Sequence, residues 1–310
     1  MYISLRSKEK EGDTMHSYLR AIGFSNIKNR PDLEKIIGIV MDRPTEKKSI
    51  QMDEKVTLTE YRKDFLDGIG LAVVGEYDEK GFFHLDHYYP YYKGRYIATK
   101  EEVVINKRVD TDGYTGMCDD MRLGVSLIFY LQNVIDFLEC KRKYFQKRIP
   151  YAIVLTGMAI EGKILLGIYQ PSYNNKTRTA EMLQRKKLIA EAKMGNQEAI
   201  DSLTIEDIDT YAMVSRRVKN EDIYSIVETS FVPYGSESDN YSIVGTIMDL
   251  KVIKNEITQE EVYQMLLNCN DIVFQICINK RDLQGVPMIN RRFKGNIWMQ
   301  GHVDFYGNLK

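Results

Sequence analysis

The chain offers a partner almost no net charge: 43 lysines and arginines stand against 44 aspartates and glutamates, a formal balance of −1. That removes the overall electrostatic footprint of a dedicated nucleic-acid binder, although a local basic patch is compatible with it. Cysteine is scarce as well. Cys118, Cys140, Cys269 and Cys277 are the four present, and none forms a C-x-x-C pair. This excludes a disulfide-built scaffold and reads as small core hydrophobes in a reducing compartment. The most apolar long window, Leu123 to Leu138, is broken by Gln132, Asn133 and Asp136 and is too short to cross a bilayer. The opening MYISLRSKEKEGDT lacks the apolar centre of a secretory signal. These absences predict a soluble cytoplasmic protein that does not engage a membrane. Signature motifs are missing too: there is no G-x-x-x-x-G-K-S/T, no G-x-G-x-x-G after a strand, no G-x-S-x-G and no H-E-x-x-H. That excludes the commonest phosphate-binding and hydrolase classes without excluding an enzyme.

What is present is an ordinary folded composition, 44% hydrophobic and 28% charged over 310 residues, enough chain for about two domains. Apolar spacing predicts short helices over His16 to Ile22 and Leu33 to Met41. Arg43 to Lys55 reads as a surface connection. A meander of three strands follows over Val56 to Phe65, Ile69 to Tyr77 and Gly81 to Tyr88. Beyond it lie a strand at Glu102 to Arg108, the polar loop VDTDGYTGMCDD, a strand at Leu123 to Leu131 and a helix at Val134 to Phe145. Tyr151 to Tyr169 reads as a hairpin turning at Glu161-Gly162. Strong helix formers fill Thr177 to Arg217, which looks like a joint between halves. Strands are expected at Ile223 to Val232 and Tyr241 to Ile253. Thr258-x-x-Glu261 resembles a capping box opening a helix to Asn268. The closing strands Ile272 to Ile278 and Asn296 to Val303 flank a loop, and the second holds the single tryptophan, Trp298, expected to anchor packing.

A shift of 119 residues aligns Gly116 with Gly235, Asp120 with Asp239 and Ile153 with Ile272, among eight identities in 39 positions. The expected fold class is therefore α+β, with mainly antiparallel sheets and flanking helices, and with two similar subdomains from an internal duplication as one reading. The organisation that follows is an extended arm over 1–14, an N-terminal α+β subdomain over 15–175, the helical joint over 176–220 and a C-terminal subdomain over 221–310.

Four segments carry a family resemblance: MHSYLRAIGFS (Met15 to Ser25), VETSFVPYGSESDNYSIVG (Val227 to Gly245), CIN (Cys277 to Asn279) and RRFKGNIW (Arg291 to Trp298). Through them the chain resembles a bacterial family catalogued as domain of unknown function 3881, from Met15 to about Phe305. The resemblance implies one shared architecture in a cytoplasmic bacterial protein. It carries over no activity, cofactor or site.

Two constellations could carry chemistry. Asp110, Asp112, Asp119 and Asp120, with His84, supply oxygen and nitrogen donors suited to a divalent metal. The twelfth position of the Asp110-x-Asp112-Gly113 pattern is Met121, however, and Asp and Gly are also ordinary turn residues. In the run His84-Leu85-Asp86-His87, strand alternation keeps His84 and His87 apart. Arg291, Arg292 and Lys294 form an anion-binding candidate, with the acidic GSESD segment (Gly235 to Asp239) as the alternative partner of the arginines. A second basic cluster, Lys141 to Lys143 with Lys147 and Arg148, reads as a solvated helix face. Tyr88 to Tyr96 with Lys93 and Arg95 could stack bases, or could simply cover a sheet edge.

No complete catalytic set is assembled, which points away from an enzyme. The leading expectation is a non-catalytic regulatory or scaffold protein without a cofactor, whose partner is another protein or a second copy of itself. A metal-dependent hydrolase or phosphotransferase at the Asp110 to Asp120 segment is the alternative, and weak RNA or single-stranded DNA binding a second. The sequence names no small-molecule ligand.

Overall fold

The computed structural model of the chain describes residues 4–5, 16–108, 113–120, 122–143, 152–166, 184, 187–192, 194–217, 227–235 and 238–305. Strand accounts for 51% of the described residues. Its centre is a closed five-stranded barrel, which overturns the expected helix-flanked α+β class.

The first layer is a five-stranded sheet in the order β1-β5-β4-β3-β2. Here β1 is Ser4–Leu5, β2 Glu46–Gln51, β3 Thr57–Leu66, β4 Ile69–Tyr77 and β5 Phe83–Tyr92. The meander predicted from runs of β-branched and aromatic residues punctuated by turns is present as β3 to β5. Strand β2 formed where a surface connection was expected, because Lys47, Ser49 and Gln51 alternate with Lys48 and the buried Ile50 on an edge. A 3-10 helix at Ser17–Ile22 and helix α1 (Arg30–Asp42) accompany this sheet. The Asn29 side chain caps α1 by accepting from the Asp32 N–H at 2.9 Å. Leu33, Ile36, Ile37 and Val40 then fall on its buried face at three- and four-residue spacing.

The barrel uses β10 (Ala152–Leu165), β12 (Asn240–Lys254), β13 (Glu261–Cys269), β14 (Ile272–Asn279) and β16 (Arg292–Asp304). Antiparallel pairs β12–β13, β13–β14, β10–β16 and β12–β16 and the parallel pair β10–β14 close the ring. Closure depends on β12 changing partner along its length: Asn240 to Thr246 pair with β16, Thr246 to Lys254 with β13. Taken from β12, the cyclic order is that of an OB-type Greek-key barrel whose closing strand, β10, comes first in the chain. Outside the ring, β11 (Ser230–Pro233) extends β12, and β6 (Ile97–Thr99) and β15 (Leu283–Gln284) flank β10. Strand β9 (Val125–Leu131) joins β16 and carries β8 (Tyr114–Asp120) and β7 (Val104–Lys107).

Three local expectations fail for identifiable reasons. Tyr151 to Tyr169 is not a hairpin: its described part contains one long strand, with an irregularity between Ala159 and Gly162. Gly162 is there for close approach, since a Cβ would sit 2.5 Å from the Phe293 ring. Thr258 to Asn268 is not a helix. Val262, Gln264, Met265, Leu267 and Cys269 enter the barrel wall as strand β13, while the Thr258 hydroxyl donates to the Gly23 carbonyl at 2.6 Å. The duplication fails as well, because helix α2 (Val134–Lys143) would align with the β12–β13 corner, and β10 belongs to the same barrel as β12 to β16. Helix α3 (Gln197–Arg217) lies between β10 and β11 in the chain. Among the described residues no helix is long and apolar enough to cross a membrane.

Two cores result. One fills the barrel and continues under β8 and β9, with Phe274, Phe293, Ile243, Ile276 and Met299 fully buried. The other lies between the barrel's outer wall and the first sheet, where Met158, Cys277 and Trp298 meet Phe65, Leu71 and Tyr92. Strand β10 serves both, Ile153 and Leu155 facing the first core and Met158 the second.

A polar junction crosses the second core. The buried Arg62 guanidinium reaches Glu60 at 3.1 Å and donates to the Gln132 carbonyl at 2.5 Å. Tyr89 donates to Glu60 at 2.5 Å. The Gln132 amide donates to the Tyr92 carbonyl at 2.9 Å and to Gln300 at 2.7 Å, and Gln300 donates to the Pro90 carbonyl at 2.7 Å. Replacing Arg62 by Met strands the Glu60 charge, so Arg62→Met should cost ~3–5 kcal/mol in urea unfolding, and adding Glu60→Gln should recover part of it. A loss under ~1 kcal/mol would mean that the junction does not hold the layers together.

Candidate functional site

Where the first sheet diverges from the barrel, the wedge between them opens into a cavity of about 280 Å³. Six pieces of chain line it: His16 and Tyr18, then His87 to Tyr89 on β5, Arg108 with Gly113 beside the β7–β8 hairpin, Tyr130 on β9, Asp239 and Asn240 opening β12, and Trp298 on β16. Strand β5 delivers its three residues just past a bulge, where the β4 register slips between Val74 and Gly75. Bulges bend a strand locally and are frequent beside sites.

Aromatic rings form a continuous wall. Trp298 lies 4.8 Å from His16, 5.4 Å from Tyr18 and 5.2 Å from Tyr130, and Tyr130 lies 4.9 Å from Tyr89, all in tilted arrangements. The polar edge is held as tightly. Asp239 is 1% exposed, and a carboxylate so buried requires partners. It accepts from Trp298 Nε1 at 3.0 Å and from Arg108 Nη1 at 3.1 Å. The His16 backbone N–H donates to the Tyr88 hydroxyl at 3.3 Å, and His87 Nε2 lies 3.2 Å from the Tyr130 hydroxyl.

Two titrations matter. Burial, with the neighbouring His87 adding to it, pushes the His16 imidazole down to about 4, so the ring is neutral at pH 7. Its Nδ1 is shielded from solvent and meets no hydrogen-bond partner among the described residues. Burial also pushes the Tyr130 hydroxyl up, with Glu60 contributing, and keeps it protonated. Among the described residues of the wall, Arg108 and Asp239 form an ion pair.

The residues singled out from the sequence lie elsewhere. Asp110 and Asp112 fall outside the described residues. Asp119 and Asp120 sit on strand β8 rather than in a loop, on opposite sides of it: Asp119 accepts from the Ser126 hydroxyl at 2.5 Å, and Asp120 is clasped by Arg122 Nε at 2.8 Å. Burial would raise the Asp120 carboxyl, but the Arg122 guanidinium, Thr99 and the Arg122 N–H outweigh it and hold it below the usual carboxylate range. His84 is on the other sheet, 2.9 Å from Asp78. Among the described residues no three His, Cys, Asp or Glu side chains are grouped as a metal would require.

The two arginines of the anion candidate are engaged by backbone carbonyls. Arg292 is 4% exposed and donates to the carbonyls of Leu166 at 2.9 Å and Val227 at 2.7 Å, while Arg291 donates to the Val286 carbonyl at 3.0 Å. Lys294 stands on β16 opposite Val244 and Lys163. The acidic segment expected to receive the arginines instead sends Asp239 to Arg108. Arg142 donates to the Gln51 and Met52 carbonyls; Lys147 and Arg148 lie outside the described residues. Of the tyrosines from 88 to 96, Tyr89, Tyr91 and Tyr92 are buried, so they do not form an exposed stacking platform. The four cysteines are free and buried.

Sequence reasoning named Trp298 as a packing anchor and His87 as a buried histidine, but did not join them to Arg108, Tyr130 and Asp239. No local signal could, because 131 positions separate the ion pair and 168 separate Tyr130 from Trp298.

The fold and site define a mostly-β barrel protein with an aromatic, internally neutralised pocket against an accessory sheet. By sequence profile, residues 19–301 match the family described as "Domain of unknown function, E. rectale Gene description (DUF3881)", and the chain belongs to that family. No curated protein and no solved structure matches it.

A pH dependence follows from the buried imidazoles. His302 is also pushed down to about 4, chiefly by burial and then by Arg62. In the unfolded chain both histidines titrate near the ordinary ~6.5, so as pH falls the unfolded state takes up protons first and stability is lost between about 6.5 and 4. The slope is at most ~1.4 kcal/mol per pH unit for each histidine. Unfolding free energies across that window should fall with acid, and His16→Gln with His302→Gln should flatten the curve. An unchanged curve would mean that the imidazoles are solvated.

Proposed function

We propose that the protein is a non-catalytic regulatory protein of the bacterial cytoplasm that works by binding, with the aromatic pocket as its ligand-responsive site and another protein, or a second copy of the chain, as the reader of its state. The observation that carries this reading is the pocket's composition among the described residues: aromatic rings edged by the Arg108–Asp239 ion pair and by Asn240. Such a site offers stacking surface and hydrogen-bonding edges, the usual make-up of small-molecule pockets. Because six chain segments from both layers meet there, occupancy would stiffen the junction between layers and could alter the surface presented to a partner.

The metal-dependent hydrolase or phosphotransferase remains the competing reading, resting on Asp110, Asp112, Asp119 and Asp120. The fixed partners of Asp119 and Asp120 argue against it.

Protein purified without denaturation should retain a small organic molecule in intact-mass spectrometry, and stripping it by refolding should lower Tm by a few degrees, about 2–4 °C per kcal/mol of lost binding. Absence of both would remove the pocket reading. Saturable calorimetric binding of Mg²⁺, Mn²⁺ or Zn²⁺, abolished by Asp119→Asn with Asp120→Asn, would favour the hydrolase instead.

A further inference from the structure

A second recess, of about 90 Å³, shares no residue with the aromatic pocket. It opens where the β3–β4 turn and the segment after β5 arch over the outer wall of the barrel. Strand pairing lays its floor. Asp249, Leu266 and Gln275 stand opposite one another across β12, β13 and β14, and Lys251 stands opposite Gln264 one row further on. Side chains two positions apart on a strand share a face, so Asp249 and Lys251 point the same way, as do Gln264 and Leu266. Asp67, Arg95 and Tyr96 form the opposite side.

The bonds across this recess hold its polar groups in place without exhausting them. The Asp67 carboxylate accepts from Arg95 Nη2 at 2.8 Å and from Lys251 Nζ at 3.0 Å, and its backbone carbonyl accepts from the Gln264 amide at 3.1 Å. The Gln275 side-chain oxygen accepts from the Arg95 backbone N–H at 2.8 Å. That leaves the Gln264 side-chain oxygen and the Gln275 amide nitrogen without a partner among the described residues, and neither atom is shielded from water. Gln264 is only 9% exposed, so its oxygen is presented from a fixed position. Asp249 uses one oxygen on the Leu250 N–H at 2.8 Å and keeps the other, while Arg95 and Lys251 retain donors. Open donors and open acceptors thus stand around the half-buried Leu266 and the exposed Tyr96 ring.

Formal charge cancels among the lining residues, Arg95 and Lys251 against Asp67 and Asp249. A ligand carboxylate or phosphate drawn to the two cations meets Asp67, which already holds both. An ammonium drawn to Asp249 meets Lys251 on the same strand face. A hydroxyl meets neither objection, because it donates and accepts at once. Neutral sugars carry several hydroxyls around a ring whose C–H face packs on apolar and aromatic side chains. In OB-type barrels the second and third strands, here β13 and β14, present the face that takes oligosaccharides or oligonucleotides. A recess of zero net charge lacks the attraction that a polyanion needs.

We propose that this recess binds a neutral carbohydrate, with the hydroxyls of one pyranose edge on Asp249, Gln264 and Gln275 and the ring's C–H face on Tyr96. The site is independent of the aromatic pocket and of the function proposed for it. A recess this small takes one edge of the sugar and leaves the rest in water, so a monosaccharide should bind with a Kd on the order of 1 mM.

Saturation-transfer difference NMR on the full chain tests this with glucose, galactose and N-acetylglucosamine as neutral sugars, glucuronate as an anion and glucosamine as a cation. At least one neutral sugar should give a saturable signal stronger than either charged one. Tyr96→Ser should weaken it about fivefold and Tyr96→Phe should leave it nearly unchanged, since the ring is the contact. Asp249→Ala should weaken it about tenfold through the lost charge-assisted hydrogen bond. Both residues are exposed, so an unchanged Tm confirms that these variants fold. Tighter binding of glucuronate or glucosamine than of every neutral sugar would overturn the ligand class. A neutral signal indifferent to both Tyr96→Ser and Asp249→Ala would overturn the recess as its place, and no transfer to any of the five probes would overturn the proposal. The intact-mass experiment reports on the aromatic pocket, so the two readings fail separately.

Discussion

The backbone at Gln132 is where the two layers are tied. Strands β5 and β9 both end in the dry space between the first sheet and the barrel, leaving carbonyls of Pro90, Tyr92 and Gln132 to be satisfied away from water. Side chains complete them: Gln300 from β16 takes Pro90, Gln132 and Thr156 take Tyr92, and Arg62 takes Gln132. Buried backbone groups are almost always paired, and a partly satisfied network is worse than none. Asn133 extends the same device, its amide imitating a strand by exchanging two hydrogen bonds with Val303. Alternative packings of the sheet on the barrel would break several of these bonds together, so the junction selects one relative placement of the layers.

That placement creates the pocket. Between the junction and the free edge the layers diverge, and the wedge is filled by rings rather than aliphatic side chains. Rings can bridge a gap that widens, and tyrosine and tryptophan carry a polar tip to the rim. The Arg108–Asp239 pair sits where β12 leaves the barrel and the β7–β8 hairpin arrives, closing one side. In OB-type barrels a sheet face and adjoining loops often serve for binding. Here part of the outer wall, including Cys277 and Met158, is covered by the protein's own first sheet, and the cavity is the portion left open.

Much of the secondary structure was legible. Helix α1 follows directly from periodicity, because it has one buried and one wetter face, and the β3–β4–β5 meander and the run Ile272 to Ile278 follow from β-branched and aromatic residues bounded by turn signals. Legibility failed where burial was two-sided or long-range. In β10 both faces are covered from Ala152 to Ala159, so the alternation that marks a strand vanished there, and Glu161-Gly162 just beyond looked like a turn. At β13 a local capping signal competed with a strand pattern, and barrel closure decided the contest. The acidic stretch before β9 read as a loop because Asp119 and Asp120 are ordinary turn residues, yet each alternates across a paired strand with its own fixed partner.

By itself the sequence determined that the chain is a folded protein of nearly zero net charge rich in strand-forming runs, and it carried enough of its family's pattern to be placed there. Those properties reside in composition and in neighbours two to four positions apart, where the backbone's repeat does the ordering. Only the tertiary structure decided that β10 closes a barrel with strands over a hundred positions later, that Asp239 belongs to Arg108, and that His16 keeps an unsatisfied nitrogen beside Trp298. Those facts depend on which distant surfaces exclude water from each other, and that is a property of the closed shape rather than of any window along the chain.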